Sequence, residues 1–289
     1  MTDYTFDGPE PDFSPKPARF TPPPGSVDCH CHVFGPFDQF PYAEDRSYTP
    51  PASVLADYQA MLAATGLERS VMVQPSVYGF DNRASLDAMR RMGDKMRGVL
   101  VVPSDVTDAV LQDMHDAGAR GLRFNVDLKG GVGFTDLDTL AARIAPLGWH
   151  IQVFAKPSTF LEAAHHLEAL PCDVVIDHMG HVPAADGVHD LASQRLLAML
   201  RDGRTWVKIS GAYRISAEAP PYYDALPMAR ALIAEAPDKC VLGPDWLHPN
   251  FTGPMPNDSA LLNFLDDASP DVETRDRILL DNPVKLYGF

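Results

Sequence analysis

The sequence lacks the features that mark secreted, membrane-anchored or disulfide-rich proteins. Only 4 of its 289 residues are cysteines, and their spacing is not that of a disulfide framework, which favours a reducing compartment. The N-terminus has no basic segment followed by an apolar run, so neither a secretory signal nor a membrane anchor is predicted. We therefore predict a cytoplasmic protein with no membrane partner.

Positive charge is also scarce. The chain has 24 Lys and Arg residues against 39 Asp and Glu residues, a formal net charge of -15 at pH 7. This excess of negative charge disfavours binding to nucleic acid or to an anionic membrane surface. An anionic ligand would therefore need a local basic pocket.

Eight short apolar runs alternate with segments of helical character. The runs cover residues 26–34, 70–75, 97–102, 121–125, 150–155, 173–178, 205–210 and 240–245. Helical spacing is clearest at residues 52–65, 84–95, 107–117 and 159–169, and Gly66 and Gly118 are placed to end two of these helices. We predict a single (β/α)8 barrel of the TIM type over residues 26–289.

A doubly wound open sheet is the structural alternative. It would need a Gly-rich phosphate turn or a switch-point site, and neither is found. Gly130, Gly131, Val132 and Gly133 lack the Lys and Ser/Thr of a phosphate loop, so we interpret them as a flexible active-site loop. Residues 1–25 are rich in proline, and we predict an extended arm on the surface rather than a domain.

Polar residues stand at the ends of five predicted strands. They are His30 and His32, Gln74 and Ser76, Arg123 and Asn125, His178, and Asp245. Catalytic residues of a parallel barrel lie where the strands end, at its C-terminal face. A packed β-core does not account for so many polar strand ends, so we predict one shared site.

Residues 28–32 read Asp-Cys-His-Cys-His. Strand alternation predicts Asp28, His30 and His32 on one face, with Cys29 and Cys31 directed towards the helix layer as small hydrophobic residues. Two histidines on one face can bind a metal ion, or supply hydrogen bonds and a proton relay without metal. Ordinary structural histidines are the alternative.

Asp245 and His178 end two further strands. Asp245 is the natural general base towards water, with helix capping as its alternative role. His178 is placed to polarise a carbonyl or to position the water. Cationic residues occur at Arg123, Lys129 and Arg214, and together they suit a substrate with more than one carboxylate. A surface ion pair is the alternative for each of them, above all for Lys129.

Taken together, these segments resemble the amidohydrolase superfamily, and within it the lactonase branch that contains the 2-pyrone-4,6-dicarboxylate hydrolases. The resemblance spans nearly the whole chain. It rests on TPPPG (21–25), DCHCHVFGP (28–36), VQPS (73–76), GFDN (79–82), GLRFN (121–125), IDHMG (176–180), DWLHPN (245–250) and NP (282–283).

The resemblance implies an enzyme of aromatic degradation that hydrolyses a small acidic lactone, such as 2-pyrone-4,6-dicarboxylate or 4-sulfomuconolactone. It implies that Asp245 activates water and that His30, His32 and His178 surround the scissile carbonyl. The candidate substrate-binding residues are Tyr48, Ser76, Arg123, Lys129, Arg214, His248 and Asn250. Lys129 lies near a family arginine, and Phe154 replaces a family tyrosine. Losing the arginine fork and the phenol hydroxyl changes the free energy of the substrate contacts by about a few kcal/mol, which is enough to alter substrate preference.

The resemblance also bears on metal. Strands four and five lack the carboxylate or modified lysine and the histidine of two-metal relatives, so a two-metal site is not expected. A single Zn²⁺ on His30, His32 and Asp245 is chemically reasonable. The lactonase branch is thought to work without metal, however, and we favour an enzyme that requires no cofactor.

Three other functions stay open. They are a metal-dependent decarboxylase of a small unsaturated or aromatic acid, a sugar-acid lactonase, and a non-catalytic binding protein for organic acids. We expect a monomer or a homodimer.

Overall fold

Eight parallel β-strands form one sheet, in which each strand pairs with the next along the chain. The computed structural model describes residues 4–129 and 132–289. The strands are β1 Val27–Cys31, β2 Arg69–Val73, β3 Met96–Leu100, β4 Ala119–Asn125, β5 His150–Phe154, β6 Val174–Ile176, β7 Thr205–Ile209 and β8 Cys240–Leu242. The His32 amide donates to the Trp246 carbonyl at 2.9 Å, and the Asp245 amide to the His30 carbonyl at 3.0 Å. These bonds join the first strand to the last, so the predicted (β/α)8 barrel is confirmed.

Helices follow the strands around the barrel. They are α1 Leu55–Thr65, α2 Arg83–Met92, α3 Asp108–Asp116, α4 Leu137–Ile144, α5 Pro157–Glu168, α6 Leu191–Asp202, α7 Ala212–Ile215, α8 Leu226–Glu235, α9 Asp258–Ala268, α10 Val272–Leu279 and α11 Asp281–Tyr287. Gly66 ends α1 in the left-handed conformation at φ 77°, as predicted. Ala117 ends α3, one residue before Gly118. Within the described ranges, no helix is long and apolar enough to cross a membrane.

β6 and β8 are shorter than predicted. They end at Ile176 and Leu242, so His178 and Asp245 lie in the loops that follow. Both residues have left-handed backbone, with φ of 51° and 67°, and extended structure cannot continue through such angles. Each costs of order 1–3 kcal/mol in strain. The same left-handed conformation recurs at Met179, His181, His248 and Asn250, in the same two loops.

Strand alternation fails inside β1, so the prediction of one shared face for Asp28, His30 and His32 is wrong. The pairing between β1 and β2 shifts between Asp28 and Cys31, as in a β-bulge. The Asp28 carboxylate accepts a hydrogen bond of 2.8 Å from the Tyr58 hydroxyl of α1. Asp28 therefore faces the helix layer, whereas both histidines face the barrel mouth.

The bulge also separates the two cysteines. Cys29 packs with Val27, Val241 and Tyr287 in a cluster that joins non-adjacent strands inside the barrel. Cys31 belongs to the larger cluster between strands and helices. The prediction that both thiols face the helices therefore holds for Cys31 and is wrong for Cys29. Both are buried, free cysteines.

Residues 4–25 contain no helix or strand. Arg19 attaches this segment to the barrel through ion pairs of 2.6 Å with Asp266 and Asp267 of α9. The domain boundary at residue 25 stays a prediction. Of the predicted glycine loop, Gly130 and Gly131 lie outside the described residues.

Candidate active site

Asp245 is the centre of the buried polar cluster at the barrel mouth. Its Oδ2 atom accepts hydrogen bonds from the Tyr213 hydroxyl at 2.6 Å and from Nε of Arg214 at 2.9 Å. Its Oδ1 atom lies 3.6 Å from Nε2 of His30 and 3.4 Å from Nε2 of His32. One carboxylate oxygen is thus fixed by donors, and the other is directed towards the histidines.

The three predicted histidines surround this carboxylate. Nε2 of His178 lies 3.7 Å from Oδ2 of Asp245. In His178 and His32 the ring nitrogen remote from Asp245 also has a partner. Nδ1 of His178 is 2.9 Å from the Ser210 hydroxyl, and Nδ1 of His32 is 2.7 Å from the Val73 carbonyl. The structure therefore brings His30, His32, His178 and Asp245 together.

Beneath the histidines lies a second buried network, centred on Lys208 of β7. The Lys208 ammonium donates to Oε1 of Gln152 at 2.8 Å and to the Cys29 carbonyl at 2.9 Å, and it lies 3.4 Å from Oδ1 of Asp177. The Asp177 carboxylate also accepts from Nε2 of Gln152 at 3.1 Å and lies 3.5 Å from Arg123. Every charge in this layer is thus matched by a partner from another strand.

Burial and neighbouring charges set the protonation states. Burial lowers the pKa of His30 to about 3, assisted by the Lys208 charge, and lowers the pKa of His32 and His178 as well. Burial raises the pKa of Asp245, but the Arg214 guanidinium and the surrounding histidines together outweigh burial and hold the pKa well below its ordinary value. At neutral pH the site therefore contains neutral imidazoles and an ionised carboxylate.

The balance of charge favours an anionic ligand. Arg123, Arg214 and Lys208 carry positive charge, and Asp177 and Asp245 carry negative charge, so the cluster has one positive charge in excess. This excess stands in a chain of formal charge -15. An anionic ligand would need a local basic pocket, and Arg123 and Arg214 line a cavity at this cluster.

Two cavities at this cluster, here called the inner part and the outer part, share the lining residues Leu128, Phe154, Arg214 and Asn250. The inner part, of about 20 Å³, is lined by His32, Tyr48, Arg123, Asn125, Leu128, Phe154, His178, Arg214, Asp245, Pro249 and Asn250. A volume of this order holds about one water molecule. The outer part, of about 440 Å³, is lined by Asp127, Leu128, Phe154, Lys156, His181, Arg214, Asn250 and Phe251, and this is a usual size for a ligand pocket. A larger cavity of about 620 Å³ between α2 and α3 contains none of the predicted site residues.

The predicted substrate-binding residues are divided by this geometry. Tyr48, Arg123, Arg214 and Asn250 line the inner cavity. Among the described residues, Lys129 does not line either part, and its ammonium forms an exposed ion pair of 3.0 Å with Asp45. A role for Lys129 in substrate binding would require that ion pair to break.

Ser76 and His248 are buried but lie behind the cavity wall, as far as the described residues show. Nε2 of His248 is 3.5 Å from Oδ1 of Asp258, and burial lowers the His248 pKa to about 3. The His248 amide donates to the Asp245 carbonyl at 2.5 Å. His248 therefore supports the loop that carries Asp245.

His30, His178 and Asp245 are the described residues that could hold a divalent ion. His30, His178 and Asp245 each bring one potential ligand atom within 4.8 Å of the others, so His178 stands where His32 was predicted. Nitrogen and carboxylate donors suit Zn²⁺. However, Lys208 lies 3.2 Å from His30, and Arg214 already neutralises Asp245. A divalent ion would add two charges to a cluster that is already cationic, so the residues present do not fit it well.

Several residues of the site were not singled out from the sequence, among them Lys208, Gln152, Asp177 and Tyr213. Lys208, Gln152 and Asp177 lie in apolar strand runs, where a charged or amide side chain is costly unless it is paired. A charged or amide residue inside an apolar strand therefore indicates a buried partner, and this indication is clearest for Lys208 in the run Trp-Val-Lys-Ile. Tyr213 gave no comparable signal, because its contact with Asp245 depends on how the β7 and β8 loops meet.

Comparison with known proteins agrees with this architecture. Residues 27–289 match the sequence profile of the amidohydrolase family. The chain is 40% identical over 286 residues to a 2-pyrone-4,6-dicarboxylate hydrolase of Comamonas testosteroni, covering 95% of this chain and 93% of that protein. It is 38% identical over 278 residues to a 4-sulfomuconolactone hydrolase of Hydrogenophaga intermedia, covering 94% and 92%. A probable 2-pyrone-4,6-dicarboxylic acid hydrolase from Acinetobacter baumannii, solved with citric acid bound, is similar with a TM-score of 0.80 and 27% identity, covering 92% and 100%.

Proposed function

The chain belongs to the amidohydrolase family, and we propose that it is a hydrolase that opens a small acidic lactone in the degradation of aromatic compounds. Relatives that it matches over nearly their whole length are named as hydrolases of a pyrone dicarboxylate and of a sulfomuconolactone. Both names describe a lactone that carries acidic groups. The substrate class proposed for this chain is therefore an anionic lactone.

The orientation of Asp245 carries the proposal. Tyr213 and Arg214 hold one carboxylate oxygen at 2.6 and 2.9 Å, and this grip leaves the other oxygen directed towards the histidines. Asp245 also lines the inner cavity, whose volume suits one water molecule. A fixed, ionised carboxylate beside a water site is the arrangement that general-base catalysis needs.

The proposed reaction adds water across the lactone ester. Water in the inner cavity gives a proton to Oδ1 of Asp245 while its oxygen attacks the lactone carbonyl carbon. Hydrogen bonds from the histidine cluster stabilise the oxyanion that forms. The carbonyl reforms as the bond to the ring oxygen breaks, and the ring oxygen takes the proton back from Asp245. The products are an open-chain acid and a regenerated carboxylate.

Arg123 and Arg214 are the proposed partners of the substrate's acidic groups. Both line the inner cavity, and Arg214 also reaches the outer one. A guanidinium can hold a carboxylate or sulfonate through paired hydrogen bonds. Lys156 also lines the outer cavity, so it is better placed than Lys129 to meet a second acidic group.

We further propose that catalysis needs no metal and takes place in the cytoplasm. The cationic excess around Asp245 supports the first proposal, because a divalent ion would increase that excess. The four buried, free cysteines support the second, because they fit a reducing compartment.

The experiment that tests this function is a panel of lactones assayed with and without chelator. The panel contains 2-pyrone-4,6-dicarboxylate, 4-sulfomuconolactone, a muconolactone without a second acid, and a sugar lactone. We expect the highest kcat/KM on a doubly acidic lactone, unchanged by chelator. Preference for the sugar lactone, or release of CO₂ that depends on added metal, would refute the proposal.

A further inference from the structure

Lys208 contacts the catalytic cluster from the interior of the barrel. Its side chain is completely buried in the barrel, and its ammonium lies 3.2 Å from Nδ1 of His30. An ammonium has three N–H donors and no acceptor. Two of these donors are directed to the Cys29 carbonyl and the Gln152 amide oxygen, at 2.9 and 2.8 Å. The third can reach Nδ1 of His30, at 3.2 Å, or Oδ1 of Asp177, at 3.4 Å.

The shorter of these two contacts makes Nδ1 of His30 the acceptor. A competing arrangement would have Nδ1 of His30 donate to Oδ1 of Asp177, 3.4 Å away. In that arrangement the ammonium and the ring N–H would point at each other across 3.2 Å. The shorter contact with Lys208 favours the accepting form, and Asp177 remains close enough to balance the ammonium charge, at 3.4 Å.

A neutral imidazole carries one N–H, so an accepting Nδ1 places the proton on Nε2. Nε2 of His30 is buried and has no hydrogen-bond partner in the described part of the chain. It points to Asp245, whose Oδ1 lies 3.6 Å away. Among the described residues His30 lines neither part of the cavity, whereas Asp245 lines the inner part. A group that enters the inner cavity therefore reaches this unpartnered donor beside the Asp245 carboxylate.

His32 has the opposite tautomer. Its Nδ1 lies 2.7 Å from the Val73 carbonyl, which can only accept, so Nδ1 carries the proton and Nε2 accepts. The two histidines are two positions apart in sequence, and both approach Oδ1 of Asp245. One therefore presents a donor to the site, and the other presents an acceptor.

We propose that Lys208 is a positioning residue that fixes His30 as a hydrogen-bond donor, so that Nε2–H of His30 binds the oxyanion of the lactone while His32 orients the water. The assignment of these roles rests on the proposed function. The tautomer of His30 does not, because it follows from the contacts among Lys208, Asp177 and His30.

The test is a long-range ¹H–¹⁵N NMR correlation on protein labelled at histidine nitrogens, which identifies the protonated ring nitrogen. Wild-type protein should show His30 protonated at Nε2 and His32 protonated at Nδ1. A wild-type spectrum with His30 protonated at Nδ1 would overturn the inference without any variant. This outcome differs from a failure of the proposed function, which would appear as a correct tautomer in a protein that opens no lactone.

Two variants link the tautomer to catalysis. In Lys208→Met, Nδ1 of His30 loses its donor and is expected to donate to Asp177, so the His30 proton moves to Nδ1. We expect kcat to fall by about 10²–10³-fold, the usual effect of one oxyanion donor, with little change in KM. Lys239→Met is the matched control, because the Lys239 ammonium also donates to two backbone carbonyls, at 2.9 and 2.7 Å, but at a distant place. It should change neither the His30 tautomer nor kcat. An unchanged tautomer and kcat in Lys208→Met would refute the role of Lys208.

Discussion

Replacing Asp245 by Asn should separate its proposed role as a base from its structural role. The amide oxygen of Asn can occupy the place of Oδ2 and accept from Tyr213 and Arg214, which donate there at 2.6 and 2.9 Å. The amide nitrogen then lies at Oδ1, 3.4 Å from Nε2 of His32, which accepts because Nδ1 donates to Val73. The variant is thus expected to fold with these contacts kept and its base lost, and among the described residues the only atom it sets against a donor is the amide nitrogen that faces Nε2–H of His30 at 3.6 Å.

The expected loss follows from the energetics of general-base catalysis. Such a base contributes about 10²–10⁴-fold, or about 3–5 kcal/mol of activation free energy. Asp245→Ala should lose the same catalytic contribution. It should also lose about 3–5 kcal/mol of stability, because it leaves the mostly buried Arg214 without a counter-ion.

The assay combines initial rates on 2-pyrone-4,6-dicarboxylate at saturating and limiting concentrations with urea unfolding of all three proteins. We expect kcat to fall in both variants and the free energy of unfolding to fall only in Asp245→Ala. Near wild-type kcat in Asp245→Asn at saturating substrate would show that Asp245 is not the base. Equal free energies of unfolding for the two variants would show that the Arg214–Asp245 ion pair contributes less to stability than expected.

Two further predictions concern Lys129 and Asp28. Lys129→Ala should leave KM for doubly acidic lactones within about twofold of wild type, because an exposed ion pair contributes little; a tenfold rise would show that Lys129 reaches the substrate. Burial raises the Asp28 pKa to about 7, so native protein holds this proton more tightly than unfolded protein, and the resulting stability, present below about pH 4, is lost as pH rises towards 7. Asp28→Asn keeps an acceptor for the His30 amide, which donates to Asp28 at 2.8 Å, and its own amide N–H can donate to the Tyr58 hydroxyl. Its stability relative to wild type should rise by up to about 4 kcal/mol between pH 4 and 8 in urea unfolding; a difference independent of pH would contradict the shift.

The location of the site could be predicted from sequence because it depends on strand order. Polar residues at the ends of β1, β4 and β8 must lie at one mouth once parallel strands close into a barrel. His30, Arg123 and Asp245 were found in this way. The side-chain directions in β1 could not be predicted, because a single bulge moves Asp28 to the helix layer while His30 stays at the mouth.

The sequence by itself determined the barrel, the histidine and aspartate cluster and the basic character of the pocket, because alternating periodicity and the order of polar strand ends are local properties of the chain. Only the tertiary structure decided what those groups do to one another. Lys208 meets His30 across a separation of 178 positions, and Arg214 grips Asp245 across 31. Contacts of this kind fix charge, pKa and tautomer, and they exist only after the barrel has closed.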